Sequence, residues 1–397
     1  MVRGGRLTVF ALLAAFWAAA DRVWKLVGVL AFFSRPRRTG RAGLVSILQP
    51  ILGGDPALEG CLRHNLLVDH GLPVEFVWLL DEDDEEGIDI CERLAIGAPV
   101  RLVRLPPPPA TASPKLVKLI AGLERAAGDT IAVLDDDTML RTGGLAEAVA
   151  GLDEPDAGLA FGIPCYRSFD NLPSALVSLW VNANSLMTYL PYLTICDPLT
   201  INGMFYVLRR DTLRAIGGFS GLEHLLADDF AVASRVRSAG LRLVQTPVIH
   251  PIQTTVIDGG HYRRLMGRWL AFPRESLLRH LTLTERTVLA VVALVPSLLP
   301  AISLGAALLS RRKAAWLAAG GAILLNAVAA ATVNERLLGG ATPRRWLALD
   351  PFVQLLTPLH LIGAMLGREM DWRGHRIRVQ PGGSFEIVSR RGSNAGR

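Results

Sequence analysis

Residues 131–140 read IAVLDDDTML, in which four apolar residues run into Asp135, Asp136 and Asp137. A short apolar run of this kind fits a strand buried on both faces. Working outward, GLVSILQP (43–50), VEFVWLLD (74–81) and VRLVRL (100–105) repeat the pattern, with helical spacing over 56–69 and 115–127. Strands alternating with helices predict an α/β sheet. In open α/β sheets, ligands bind in the crevice outside the carboxyl ends of the strands. The acidic run 81–86 ends one of these strands and the aspartate triplet ends another, so the two predict one acidic edge as the candidate site. Pro106–Pro109 exclude a helix, so the chain up to Pro114 reads as an extended loop.

Half of the 397 residues are hydrophobic, and they are unevenly spread. Residues 42–280 are mixed as in a globular domain, whereas 7–33 and 287–367 are far more apolar. The first of these is long enough to cross a hydrocarbon layer of about 30 Å, although Asp21, Arg22 and Lys25 interrupt it. Arg3, Arg6 and the run to Ala20 also fit a secretory signal peptide. The apolar character that resumes over 26–33, followed by Arg35, Arg37, Arg38 and Arg41, favours an anchor with the cytoplasm after it.

The chain then divides into an anchor (1–41), a cytosolic domain (42–280), a hydrophobic region with two or three membrane segments (281–370) and a basic polar tail (371–397). Thr287–Ser310 and Ala314–Thr332 read as spans, and Trp346–Gly367 is weakened by Asp350, Pro351, Pro358 and His360. With three crossings, both the 311–313 turn and the tail would lie opposite the domain. A re-entrant or interfacial third segment would return the tail but not the turn. The four cysteines show no metal-ligand spacing and read as reduced thiols. The net charge of +6 is carried in clusters beside the apolar spans, which suits an anionic membrane surface rather than nucleic acid. The protein is expected in the bacterial inner membrane or its equivalent.

Asp135 and Asp137, two positions apart, can turn into one crevice where the chain leaves strand geometry. Their hard oxygens suit Mg²⁺ or Mn²⁺ completed by a phosphate, although a solvated loop would show the same triplet. LLADDFAVASRVRSAG (225–240) reads as an amphipathic helix with Asp228 and Asp229 in its first turn, where acidic residues also suit the helix dipole. GGHYRRLMGRWLAF (259–272) sets Arg263, Arg264 and Arg268 around a turn ending at Trp269, a pattern shared with interfacial helices. INGMFYVLRRDTLRAIGGF (201–219) places a small-residue turn and a β-rich run ahead of Asp228. Together these supply a metal site, a candidate base and cations for a diphosphate. The apolar helical stretch 172–193 fits either core packing or the border of a lipid entry.

The order of these motifs resembles the ceramide glucosyltransferase family, membrane members of the inverting glycosyltransferases with the GT-A fold. The likeness runs from about Gly43 to Phe272 and includes VSILQPILGGDPALEGCLRHN, DEDDEEGIDICERL, Pro114-Lys115, LDDD, LADDF and GRW; the tail DWRGHRIRV is similar too. It implies a Rossmann-like nucleotide-sugar domain in which Gln49, Asp83 or Asp84, Lys115 and Asp135 contact the donor, and Asp135 with Asp137 binds the metal. Asp229 is the implied general base, with Arg268 and Trp269 from the final (Gln/Arg)-x-x-Arg-Trp element beside it. Asn202, Gly203, Asp228 and Arg264 are further candidates for sugar or acceptor contact. The first position of that last element is Leu265 here, with Arg264 one residue too early. The resemblance implies transfer of glucose from UDP-glucose, with inversion, to a ceramide-like lipid. A hopanoid acceptor with UDP-N-acetylglucosamine is an alternative, as is a membrane protein whose acidic clusters bind divalent ions without catalysis.

Overall fold

The structure is a computed structural model and describes residues 2–109, 111–225, 227–272, 277–366, 369–372, 375–379 and 384–389. An N-terminal helix α1 (Val2–Phe33) leads into a seven-stranded sheet. Its strands are β1 (Val45–Pro50), β2 (Val74–Asp81), β3 (Val100–Leu105), β4 (Thr130–Leu134), β5 (Ala157–Tyr166), β6 (Phe205–Arg209) and β7 (Arg242–Ile252). The spatial order is β3-β2-β1-β4-β6-β5-β7, with β6 antiparallel to both its neighbours. Every residue of β1 and β4 is buried, because helices cover both faces of the sheet. On the covering layers lie α2 (Leu58–Leu67), α3 (Glu85–Ala95), α4 (Pro114–Arg125), α5 (Gly144–Ala150), α6 (Leu172–Leu179), α7 (Leu186–Tyr192), α8 (Arg210–Ala215), α9 (Asp228–Ser238) and α10 (Gly259–Phe272). A π-helical turn, Trp180–Ser185, joins α6 to α7. This is the α/β fold that the sequence predicts.

The reversal of β6 is what assembles the site. Leu134 pairs with Phe205 across β4 and β6, and the Asp135 amide N–H continues the ladder to the Met204 carbonyl at 2.9 Å. The entry to β6, Asn202-Gly203, therefore lies against the carboxyl end of β4. β7 runs parallel to β5 and ends at the same edge, where Thr138 bridges to Ile252.

Two strands went unread in the sequence. β5 contains Gly158, Gly162 and Pro164, and β7 contains Pro247 and Pro251, all of which read as breakers. β7 is an edge strand, where a missing N–H is tolerated. Gly162 is required there: a Cβ would lie 2.6 Å from His250 Nδ1 and 2.7 Å from the Val248 carbonyl.

Beyond the domain come α11 (Leu278–His280), α12 (Leu283–Leu289), α13 (Val295–Ser310), α14 (Lys313–Arg336), α15 (Arg344–Leu347) and α16 (Asp350–Leu366), then an antiparallel sheet of β8 (Glu369–Trp372), β9 (His375–Val379) and β10 (Phe385–Ser389). Two of these strands fall within 371–397, the stretch read as a basic tail, most of whose other residues lie outside those described. Three helical stretches are long and apolar enough to cross a membrane: Gly4–Phe33, Leu283–Ser310 and Lys313–Arg336. Ala11 packs with Ala306, Ala307, Ala315 and Ala319, while Val29 and Phe32 pack with Ala329 and Val333. α1 and α14 are thus parallel and α13 opposes them, so the 311–313 turn lies at the end far from the sheet. α16 returns toward the domain, where His360 Nε2 and the Tyr262 hydroxyl of α10 are hydrogen-bonded at 2.8 Å.

Candidate active site

The site grows from α4. Its N-terminus is fixed by Ser113, whose hydroxyl accepts from the Leu116 amide and whose own amide donates to the Glu223 carbonyl at 2.6 Å, and by Pro114 in the first turn. Lys115 and Lys118, three residues apart on one helix face, both meet the acidic edge. Lys118 Nζ lies 2.9 Å from Asp81 Oδ2 and donates to the Ile51 carbonyl at 2.8 Å. Lys115 Nζ lies 2.8 Å from Asp135 Oδ1 and 2.9 Å from Asp228 Oδ2, and donates to the Gly203 carbonyl at 2.9 Å. Burial works against the Lys115 charge, but the carboxylates of Asp135 and Asp228 outweigh it and hold the pKa above the ordinary lysine value. Lys115 is thereby a fixed cation joining β4, the entry to β6 and the start of α9.

Asp229 follows Asp228 in the first turn of α9. Burial first, and then the neighbouring Asp228 charge, push its carboxyl up to about 7. Gly203 permits this proximity, since a Cβ there would stand 3.1 Å from Asp229 Cβ and 3.5 Å from both Asp228 Oδ2 and Lys115 Nζ. A carboxylate poised near neutrality in a cleft suits a general base.

The aspartate triplet divides its labour. Asp135 reaches Lys115, whereas Asp136 is buried and accepts the Leu52 amide N–H at 2.9 Å. Asp137 is held by the hydroxyls of Thr138 and Thr254, and its carbonyl accepts from Gln253 at 2.9 Å. The other acidic run is divided in the same way. Asp84 caps α3 by accepting from the Gly87 amide and also accepts the Gly53 amide at 2.7 Å, while Asp83 is exposed on the cavity wall. Both acidic runs therefore clamp one loop, 51–53, through adjacent amides.

Not every expected residue reaches the cavity. Gln49 is fully buried off its wall; its amide accepts from Trp78 Nε1 at 2.9 Å and donates to the Asp135 carbonyl at 3.3 Å, so it props the triplet from behind. Arg264 is exposed and packs near Asp258 and Gly260, outside the lining. Leu265 is buried with Tyr166, Leu176 and Met266, so the departure from the motif fills a core position. Asn202 donates to the Gly162 carbonyl at 2.6 Å and lines the cavity with Gly203.

Arg268 and Trp269 do line it, and the Trp269 ring lies 5.8 Å from Tyr166 and 5.9 Å from Trp180, centroid to centroid. Asn182, in the π-helical turn, pins Tyr166 by accepting from its amide and donating to its carbonyl, both at 2.8 Å. Burial and the Asp137 charge keep the Tyr166 phenol protonated. Lys118, Tyr166 and Trp180 were not singled out from the sequence; the one available signal was the Lys115–Lys118 spacing.

Lys115, Lys118, Asp135, Asp228, Asp229, Arg268 and Trp269 share one cavity of about 1150 Å³, and Asp137 lies behind its wall against Thr138 and Thr254. The cavity runs from the loop at Gly53, past Lys115, Asp135 and Asp229, along Trp180 to Leu193, and onto Leu289–Pro300 of the membrane helices. Of the stretch 172–193, the part from Trp180 to Leu193 therefore borders it, while Leu176, Val177 and Leu179 pack in the core. The family model for glycosyl transferase family 21 matches residues 7–385. The chain belongs to that family. Among solved structures it is similar to the mannosyltransferase PcManGT from Pyrobaculum calidifontis in complex with GDP-Man and Mn²⁺, at 17% identity over 91% of this chain and 98% of that one, with a TM-score of 0.49. A weaker likeness is to GalNAc-T7 with UDP, GalNAc and Mn²⁺, at 10% identity over 60% and 50% of the two chains, with a TM-score of 0.39. This family 21 chain is a nucleotide-sugar glycosyltransferase with candidate membrane helices on both sides of its catalytic sheet.

Proposed function

We propose that the protein transfers glucose from UDP-glucose, with inversion, to the hydroxyl of a ceramide-like lipid at the membrane surface. The observation that carries this reading is the single cavity that joins the Lys115–Asp135–Asp229 centre to the walls of the membrane helices. A water-soluble acceptor would need no such continuation.

Asp229 takes the proton of the acceptor hydroxyl as its oxygen attacks the anomeric carbon, on the face opposite the leaving nucleotide. The bond from that carbon to the diphosphate oxygen breaks, which inverts the centre. Arg268, on the cavity wall, supplies a cation for the departing diphosphate, and Asp83 is placed to contact the nucleotide. Lys115 holds Asp135 and Asp228 in place, so that Asp229 stays beside the acceptor rather than swinging away.

The acidic edge suits a divalent ion in its donor chemistry. Its carboxylate oxygens are the donors taken by an ion that binds one or two carboxylates and completes its shell with water and phosphate. Asp135 and Asp137 would hold Mg²⁺ or Mn²⁺, which stabilises the charge released on the diphosphate.

Membranes containing the protein, incubated with radiolabelled UDP-sugars and a lipid panel with and without Mn²⁺, test the reading. Label is expected in a sphingoid lipid from UDP-glucose. Label from UDP-N-acetylglucosamine in a hopanoid would replace the substrates and keep the mechanism, and label in no lipid would overturn it.

A further inference from the structure

The cavity carries polar groups at the level of the membrane helices that the transfer step does not use. Arg22 and Lys25 of α1, Asn326 of α14 and Gln354 of α16 line it there. Lys25 Nζ pairs with Asp21 at 3.0 Å, the Asn326 amide donates to Gln354 Oε1 at 2.7 Å, and Gln354 donates to Asp350. Arg22 lies within electrostatic reach of both Asp21 and Asp350. Two cations thus balance two anions. On the outer surface of the same helices Val23, Val27, Leu324 and Val328 are exposed, so the outside suits lipid chains while the polar groups face inward.

Polar groups are retained in an apolar layer when they pair or serve a ligand. Two atoms here do not pair among the described residues: Arg22 Nε, a donor, and Asn326 Oδ1, an acceptor, both buried. Asn326 as a whole is only 4% exposed. Spare guanidinium donors on Arg22 and a spare acceptor on Asn326, beside a neutral cluster, match a neutral group that both accepts and donates. An anionic headgroup would upset the charge balance, and an ester would leave Asn326 Oδ1 without a donor.

We propose that Arg22 and Asn326 form a recognition site for an amide group of the lipid acceptor, Arg22 donating to its carbonyl and Asn326 accepting from its N–H, and that this seats the sugar-accepting hydroxyl toward Asp229. The inference rests on the lipid-glycosyltransferase reading. It makes both side chains positioning residues that set acceptor specificity, and it gives the charges inside α1 a purpose other than pairing.

The test uses the full-length enzyme in lipid nanodiscs with two acceptors of the same skeleton, one with an amide-linked and one with an ester-linked acyl chain. The wild type is expected to favour the amide lipid in kcat/KM by about tenfold, since one buried acceptor goes unpaired with the ester. Asn326→Leu should abolish the preference by slowing the amide lipid alone, with the donor KM and the acceptor-free hydrolysis of UDP-glucose unchanged. Arg22→Lys keeps the charge but removes the Nε donor, and should lower kcat/KM on both lipids by a similar factor, because both carry a carbonyl. Equal wild-type turnover of the two lipids overturns the proposal without reference to any variant. A preference that survives Asn326→Leu, or an Arg22→Lys enzyme unchanged on both lipids, overturns it as well. Transfer to neither lipid overturns the proposed acyl-lipid acceptor, whereas transfer without discrimination overturns only the recognition site.

Discussion

Asp229→Asn separates a chemical role from a folding role, because the structure predicts opposite signs for activity and stability. Asparagine keeps the Oδ1 that accepts the Phe230 amide N–H at 2.7 Å, and removes only the charge. As the base is lost, turnover should fall by about 10²–10⁴-fold. Stability should move the other way. The carboxyl is raised from 3.8 to about 7 in the folded protein, so the folded state holds this proton more tightly than the unfolded chain does. The wild type therefore loses stability as pH rises from about 4 to about 7, and a shift of that size is worth up to about 4 kcal/mol. The neutral asparagine escapes this loss. The purified, donor-free variant should melt with the wild type at pH 4 and above it at pH 8, by roughly 2–4 °C per kcal/mol regained. Thermal melts at both pH values and initial rates at pH 8 make the measurement. An active variant, or a Tm difference that is the same at both pH values, would refute the reasoning.

Lys115→Met leaves Asp135 and Asp228 without their shared cation, so stability should drop by about 3–5 kcal/mol in denaturant melts together with activity. Gly203→Ala puts a Cβ 3.1 Å from Asp229 Cβ, and kcat should fall at least several-fold with the donor KM little changed, as steady-state kinetics would show. Asp84→Ala removes a helix cap and should cost about 1 kcal/mol in a thermal melt, whereas Asp83→Ala should raise the donor KM and leave the melt alone. The wild-type kcat/KM should fall as pH drops below about 7, as Asp229 takes up its proton, and a flat profile from pH 5 to 8 would exclude it as the base.

The parallel half of the sheet was legible because its strands are short apolar runs bounded by turns; β2 and β3 have the bounds their sequence suggests. β5 and β7 were not, since glycine and proline read as breakers until a close β5–β7 approach and an edge position give them reasons. The division of the aspartate triplet was partly legible, and Asp136 does turn away, to the Leu52 amide. Local sequence could not reveal that Asp84 is spent on Gly53, or that Gln49 braces the triplet from behind, since both depend on which strands are neighbours. The charges of α1 were visible only as interruptions of an apolar span. Their companions Asn326 and Gln354 lie about three hundred residues away and meet them only when α1, α14 and α16 pack together.

The central claim is that one cavity brings a nucleotide-sugar and a membrane lipid together at Asp229. Its most direct test is the anomeric configuration of the product formed by the purified enzyme in nanodiscs from UDP-α-glucose and a ceramide, read from the anomeric proton coupling. A β-glucosyl lipid is the predicted product, and it should be absent with Asp229→Asn. An α-linked product, or free glucose with no labelled lipid, would contradict the account.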